Sequence, residues 1–139
     1  MRQTQSTISF HTQGVGLLEI TTKVAQWLQS QQAQMGQITL FCRHTSASLT
    51  IQENADPDVQ RDLVAFFDRL VPENLSCFQH TCEGADDMPA HVKSALTGVS
   101  LTVPVAAGRM LLGQWQGIYL CEHRRRPHRR EVVLHFIGE

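Results

Sequence analysis

Residues 100–138 read SLTVPVAAGRMLLGQWQGIYLCEHRRRPHRREVVLHFIG, and they decide the fold. Three runs in this stretch favour β-structure: Ser100 to Val105, Met110 to Cys121 and Glu131 to Gly138. β-Branched and aromatic residues fit a pleated, half-buried surface. Gly113 and Gly117 mark a bend or bulge within the middle run. Arg124 to Arg130, with Pro127 inside, reads as a solvated hairpin loop between the last two strands.

Working towards the N-terminus, a short helix is expected from about Met88-Pro89 to Thr97-Gly98, with Asp86 or Asp87 at its mouth. The helix before it has the clearest signature. Asp56 is a good N-cap, Pro57 sits at the first helical position, and Asp58 complements the dipole. Val59, Leu63, Phe66, Phe67 and Leu70 form its apolar stripe, and Pro72 ends it. Gln37 to Cys42 and Ser48 to Asn54 read as strands. A first helix is expected from about Thr21 to Gln34, with Ile20, Val24, Trp27 and Leu28 on one face and Gly36 as the stop. Thr4 to Phe10 and Val15 to Glu19 open the chain as two strands around Gly14. The resulting order, ββαββααβββ, lacks the regular alternation of a parallel doubly wound sheet. It predicts an α+β fold with largely antiparallel strands.

At 139 residues the chain makes one domain, residues 1–139, large enough for a core without staples. A net charge of −1 argues against general binding to nucleic acid or a membrane surface, each of which needs a basic field. Cys42, Cys77, Cys82 and Cys121 form no CxxC pair, and reduced thiols in a cytoplasmic protein are expected. The polar start, MRQTQSTISFHTQG, is not a signal peptide, and no run approaches the length of a membrane span.

His80, Glu83, Asp86, Asp87 and His91 fall within twelve residues. Carboxylates and imidazoles this close are costly to assemble unless a cation or an anionic substrate uses them. With Asp87 as a cap, Asp87 and His91 are i, i+4 neighbours that present one carboxylate and one imidazole to a shared cation. The plain alternative is that Asp86 and Asp87 only cap the helix. His44 precedes the small-residue turn Thr45-Ser46-Ala47-Ser48, a good place for a ligand or base, or simply a surface histidine. Glu122 and Arg124 lie at the end of an apolar strand, on one side by period 2, and an exposed ion pair is the dull account. Arg109 follows Gly108 and could grip a phosphate bidentately. Trp115 lines a pocket or belongs to the core. Tyr119, His123 and His135 read as strand residues without a specific role, and Cys42 and Cys121 as buried small hydrophobes. No GxSxG, Walker A, GxGxxG or HExxH motif is present.

These motifs resemble a known family. His44-Thr45-Ser46-Ala47-Ser48-Leu49-Thr50 and Glu53 to Val59 are similar to the first half of the YjbQ family, the UPF0047 proteins. His80, Glu83-Gly84, Asp86 to Pro89, His91 and Lys93-Ser94 match its central motif. Val103 to Val105, Gly108-Arg109, Trp115 to Ile118, Glu122 and Arg124 match its last, with Gln114 where a small residue is usual. The resemblance covers nearly the whole chain. It implies two packed, mostly antiparallel sheets with helices, assembled as a homotrimer. It further implies a divalent metal ion (zinc, magnesium or manganese) on His44, His80 and His91, with Asp87 and Glu122 as catalytic carboxylates. The implied activity is a low-level thiamine-phosphate synthase reaction, joining hydroxymethylpyrimidine diphosphate to thiazole phosphate with release of pyrophosphate. Arg109, Arg124, Trp115 and Asp86 are then the expected contacts to a small phosphorylated substrate. The rival readings are another metal-dependent enzyme, such as a hydrolase of a phosphorylated or acyl substrate, and a non-enzymatic module that binds a small anion or metal.

Overall fold

The computed structural model describes residues 1–139. Eleven elements run in the order β1 (Arg2–Thr12), β2 (Gly16–Glu19), α1 (Thr21–Ser30), β3 (Gly36–Cys42), β4 (Ala47–Glu53), α2 (Pro57–Leu70), α3 (Asp87–Thr97), β5 (Ser100–Ala106), β6 (Arg109–Met110), β7 (Gln116–Glu122) and β8 (His128–Gly138). They build two antiparallel sheets, one ordered β1-β8-β3-β5-β6 and one ordered β2-β7-β4. The α+β class with antiparallel strands is thus the observed one. No helix is long and apolar enough to cross a membrane.

Period-2 burial builds the core. Ile38, Leu40 and Cys42 on β3, Val103 and Val105 on β5, and Val132, Leu134 and Phe136 on β8 point one way. They meet Ala47 and Leu49 of β4, Ile118 and Leu120 of β7, and Val24, Trp27 and Leu28 of α1. β7 is central in its sheet and buried along both faces, from Gly117 to Glu122. Ile118, Leu120 and Glu122 therefore face the larger sheet, while Tyr119, Cys121 and the following His123 face the helices.

Three of the differences from the sequence expectation have a clear local reason. α1 ends at Ser30 rather than Gln34, because Gln32 turns left-handed at φ 53°. The amides of Gln34 and Met35 then donate to the Glu139 carbonyl at 2.5 and 2.9 Å. The single strand expected over residues 110–121 is two. Gln116 N–H donates to the Gly113 carbonyl at 3.1 Å and its side chain accepts from Gly113 N–H at 2.7 Å, a turn that sends β6 and β7 into different sheets. β8 begins at His128, so the arginine-rich segment is loop only as far as Pro127, and Arg129 and Arg130 belong to the sheet.

α2 forms as its start signal predicts: Asp56 accepts from Asp58 N–H at 2.9 Å, with Pro57 first in the helix. Its apolar stripe is only partly covered. No residue of α2 is fully buried, and Phe66 and Leu70 are 59% and 53% exposed.

Candidate metal centre and its surroundings

α3 and the loop before it bring four donors together. Ligating atoms of His80, Glu83, Asp87 and His91 lie within 4.8 Å of one another. Asp87 is the centre. Its Oδ2 is 2.8 Å from His80 Nε2 and 3.3 Å from His91 Nε2, and its Oδ1 accepts from Arg124 Nη1 at 2.6 Å. Glu83 Oε2 is 2.9 Å from the same His80 nitrogen. The rings of His80 and His91 meet edge to face at 5.5 Å. One helical turn sets the Asp87–His91 pair, and the loop supplies the other two donors.

The aspartates do not cap α3 through their side chains. Asp86 occupies the N-cap position without a side-chain bond to the helix. Instead its Oδ2 accepts from Arg124 Nε at 3.1 Å and from Arg125 N–H at 2.9 Å. Arg124 also donates through Nη2 to the Glu83 carbonyl at 3.0 Å. This arginine, beyond the end of β7, fastens the loop to α3. Three of its five N–H groups are engaged there.

The charges are tuned accordingly. Hydrogen bonds to Asp87 and then Glu83 raise His80 above its ordinary value. Burial works to raise Asp87, but hydrogen bonds from the His80 and Glu83 side and the charge of Arg124 hold it below the usual carboxylate range. Two imidazoles and two carboxylates, one of them fixed from behind by an arginine, form a donor set suited to zinc or manganese.

Glu122 is not in this cluster. It is 2% exposed and gripped by Arg130, Nε to Oε1 at 2.8 Å and Nη2 to Oε2 at 2.5 Å. Thr12 Oγ1 donates to Oε1 at 2.5 Å, and Arg124 N–H to Oε2 at 3.2 Å. Burial pushes this carboxyl up, yet the Arg130 and Thr12 hydrogen bonds outweigh it and leave Glu122 below its ordinary value. The expected Glu122–Arg124 side-chain pair does not form, because β7 ends at Glu122 and period 2 does not extend to Arg124. Arg130, taken from sequence as part of a solvated loop, is 4% exposed. It continues the row Val132, Leu134, Phe136 by period 2, the signal that marks it as inward.

The remaining expected residues do not converge in the chain. His44 Nε2 accepts from Glu131 N–H at 2.7 Å, beside Arg130 rather than beside His80 and His91. Its lone pair is occupied by the backbone, and burial, then Arg130, lower its pKa. Arg109 lines a separate groove against α1, with Ala25 and Gln29. Trp115 is 59% exposed and lies one residue before β7, about 20 Å along that strand from Glu122.

His123, read as a residue without a role, is 7% exposed and heads a buried polar chain. Its Nε2 is 2.8 Å from Ser48 Oγ, Ser48 is 2.5 Å from Thr97 Oγ1, and Thr97 donates to the Lys93 carbonyl at 2.8 Å. Burial, then the charge of Lys93, lower the imidazole to about 4, so it is neutral near pH 7.

Comparison with known proteins agrees with this architecture. The model of the family described as UPF0047 protein YjbQ-like matches residues 6–139. A UPF0047 protein of Synechocystis is 51% identical over 138 residues, spanning 99% of this chain and 94% of its own. YjbQ of Escherichia coli O157:H7 is 41% identical, spanning 97% and 98%. Among solved structures, a YjbQ/UPF0047 protein of Clostridium acetobutylicum superposes with a TM-score of 0.86 at 34% identity, covering 95% of this chain and 99% of that one. A conserved protein of Thermus thermophilus gives 0.85 at 36% identity over the same shares.

Proposed function

The chain belongs to the YjbQ-like UPF0047 family, and on that premise we propose that it is a divalent-cation-dependent enzyme acting on a small phosphorylated substrate. The reaction is a thiamine-phosphate synthase condensation, in which a C–N bond forms between hydroxymethylpyrimidine and thiazole phosphate while the C–O bond to diphosphate breaks. The observation that carries the reading is the convergence of His80, Glu83, Asp87 and His91 within 4.8 Å. Those four side chains would hold the ion, which would supply charge neutralisation for the departing diphosphate.

The chain's own groups do the rest. Asp87 stays anionic through the charge of Arg124 and orients His80 and His91 with its other oxygen. His80 would ligate through the nitrogen that faces Asp87 and Glu83, which it can do only as the neutral ring. Arg124, with two N–H groups remaining, adds a fixed positive charge beside the leaving group. Glu122 is a positioning residue: it fixes Arg124 through its N–H and is itself fixed by Arg130.

A homotrimer in the cytoplasm completes the proposal. Half-covered α2 and the long outer edge of β1 are surfaces that cyclic assembly hides. His44, remote from the cluster of its own chain, accepts at Nε2 from Glu131 N–H and so carries its ring proton on Nδ1, as a donor towards a neighbour.

The test is pyrophosphate release from the two substrates by metal-loaded protein, with metal content by elemental analysis. His91→Ala is expected to lower metal content and to slow release at least about tenfold. Full metal stoichiometry in His80→Ala, His91→Ala and Asp87→Ala alike overturns the metal centre. Metal-loaded protein that binds both substrates and converts neither is a binding module instead.

A further inference from the structure

An open depression lies at the turn between β3 and β4, and none of the metal-centre residues line it. Its lining carries two arginines, Arg43 and Arg130, the imidazole of His44, the hydroxyls of Thr45 and Ser46, and no carboxylate. Phe41 and Val99 complete the wall. Arg43 N–H donates to the Glu131 carbonyl at 3.2 Å, which ties the turn to β8 beside Arg130.

Arg130 is nearly buried, yet part of its hydrogen-bonding capacity is unused. A guanidinium has five N–H groups. Nε and one N–H of Nη2 grip Glu122. The other N–H of Nη2 reaches the Ser46 carbonyl and hydroxyl, at 3.2 and 3.1 Å. Nη1, at the corner turned away from Glu122, keeps both of its N–H groups without a protein partner. It is not sealed away, since Trp27 Nε1 is the one fully enclosed side-chain atom that lacks a partner. Arg130 lines the depression at the turn, and it lines neither the cavities beneath α2 nor the groove against α1. Nη1 therefore opens towards the turn.

The turn adds donors of its own. His44 accepts Glu131 N–H at Nε2, so its neutral ring carries a proton on Nδ1, and that N–H has no partner in the chain. His44 N–H is directed at the Cys42 sulfur, whereas the amides of Thr45 and Ser46 find no acceptor. Arg43 lies 3.9 Å from Glu131, too far for a hydrogen bond, and keeps its donors as well. Successive backbone N–H groups beside an arginine are a setting that favours anions, and a nearly buried guanidinium gains most from a charged acceptor.

We propose that this depression binds a phosphate group, as the free ion or as the end of a small phosphomonoester. Arg130 Nη1 and Arg43 meet two of its oxygens, and His44 Nδ1–H with the Thr45 and Ser46 amides meets the rest. Even without Arg43, these N–H groups outnumber the roughly four lone-pair sites of a carboxylate, which favours a phosphate with its additional oxygens. Phe41 and Val99 would cover the carbon end of an ester. The site is complete within one chain and stands whether or not the metal centre holds an ion.

Inorganic phosphate is the probe. It is titrated into the intact protein at constant ionic strength, in the presence of EDTA, and followed by amide chemical shifts. Saturable binding with Kd of about 1 mM or tighter is expected, with shifts centred on Thr45, Ser46 and Arg130. Acetate should bind at least about tenfold more weakly. Arg130→Lys keeps a positive charge opposite Glu122 and removes Nη1. His44→Gln keeps an acceptor for Glu131 N–H and removes Nδ1–H. Arg43→Glu, at an exposed position, puts a carboxylate on the rim. Each is expected to weaken phosphate binding about tenfold, as loss of a charged hydrogen bond does. Arg43→Glu and His44→Gln carry the test if Arg130→Lys unfolds. Methyl phosphate separates the two sources: affinity at least equal to that of phosphate makes a phosphomonoester the occupant, and weaker binding makes it the free ion. No saturation, acetate bound as tightly as phosphate, shifts centred on residues 83–91, or affinity undiminished in the folded variants overturns the site.

Discussion

Acidification provides a sharp test of the polar chain behind His123. Burial and the charge of Lys93 take this imidazole from the ordinary 6.5 down to about 4. Between those two values the unfolded chain binds a proton that the folded one refuses. Stability contributed by the neutral ring is therefore complete above about pH 6.5 and falls as pH drops, levelling off near pH 4. At about 1.4 kcal/mol per pH unit across that window, the loss between pH 7 and pH 4.5 is about 2.5 kcal/mol. Small domains have only about 5–15 kcal/mol to lose, so the effect is large. Other groups titrate nearby with known signs. His44, also lowered, acts in the same direction. His80, raised, acts in the opposite one: its stabilisation is complete below about 6.5 and is lost as pH rises through its higher folded value. Asp86, Asp87 and Glu122, all lowered, contribute above the ordinary carboxylate range and lose that contribution below it. His123→Gln isolates the one term. Urea denaturation of both proteins at pH 7 and pH 4.5, at one protein concentration, should show the wild type losing about 2.5 kcal/mol more than the variant. Equal losses would show that His123 takes up its proton without hindrance in the folded protein, and would refute its neutrality.

Asp87→Asn removes the carboxylate shared by Arg124, His80 and His91. It should cost about 2 kcal/mol in denaturant titration, as loss of charged hydrogen bonds does, and lower metal content; unchanged values of both would make Asp87 a bystander. Glu122→Gln leaves Arg130 buried against a neutral amide, so about 3–5 kcal/mol of stability should go, visible as a lower denaturation midpoint. A shift below about 1 kcal/mol would mean that Arg130 finds another partner or reaches solvent. Light scattering at micromolar concentration should give close to three times the 15.6 kDa chain mass, and a monomer would refute the trimer.

Elements with local causes were legible in the sequence. Asp56-Pro57-Asp58 announces α2 whatever surrounds it, and Ile38, Leu40 and Cys42 alternate as a half-buried strand must. Asp87 and His91 are likewise neighbours by helical geometry alone. What the sequence left open depends on long-range pairing. Arg130 looked like one of a basic run, yet β8 pairs with β1 through Thr12↔His128 and so carries Arg130 into the core opposite Glu122. His123 follows a strand whose far face is covered by helices that no local pattern places there. Trp115 and Glu122 were grouped by motif, although seven residues of extended chain hold them at opposite ends of β7. Glu83 was visible beside His80, but that it shares a nitrogen with Asp87 follows from the loop's path, which Arg124 sets from a distance.

The way Arg124 fastens that loop separates the chain between α2 and α3 into two parts with different tolerance for changes of length. All of Arg124's side-chain contacts fall at its C-terminal end, on the Glu83 carbonyl, Asp86 and Asp87, while Arg125 pairs with Glu73 at the other end. Residues 74–79 lie between those two anchors and are mostly exposed. Insertions there enlarge a surface loop, and a doubling of loop length costs only about 0.6 kcal/mol. One residue added between Glu83 and Asp87 would instead carry the Glu83 carbonyl and carboxylate out of register with a guanidinium that is already fixed on the helix side. Added length is therefore absorbed between Glu73 and His80 and is resisted from Glu83 to His91.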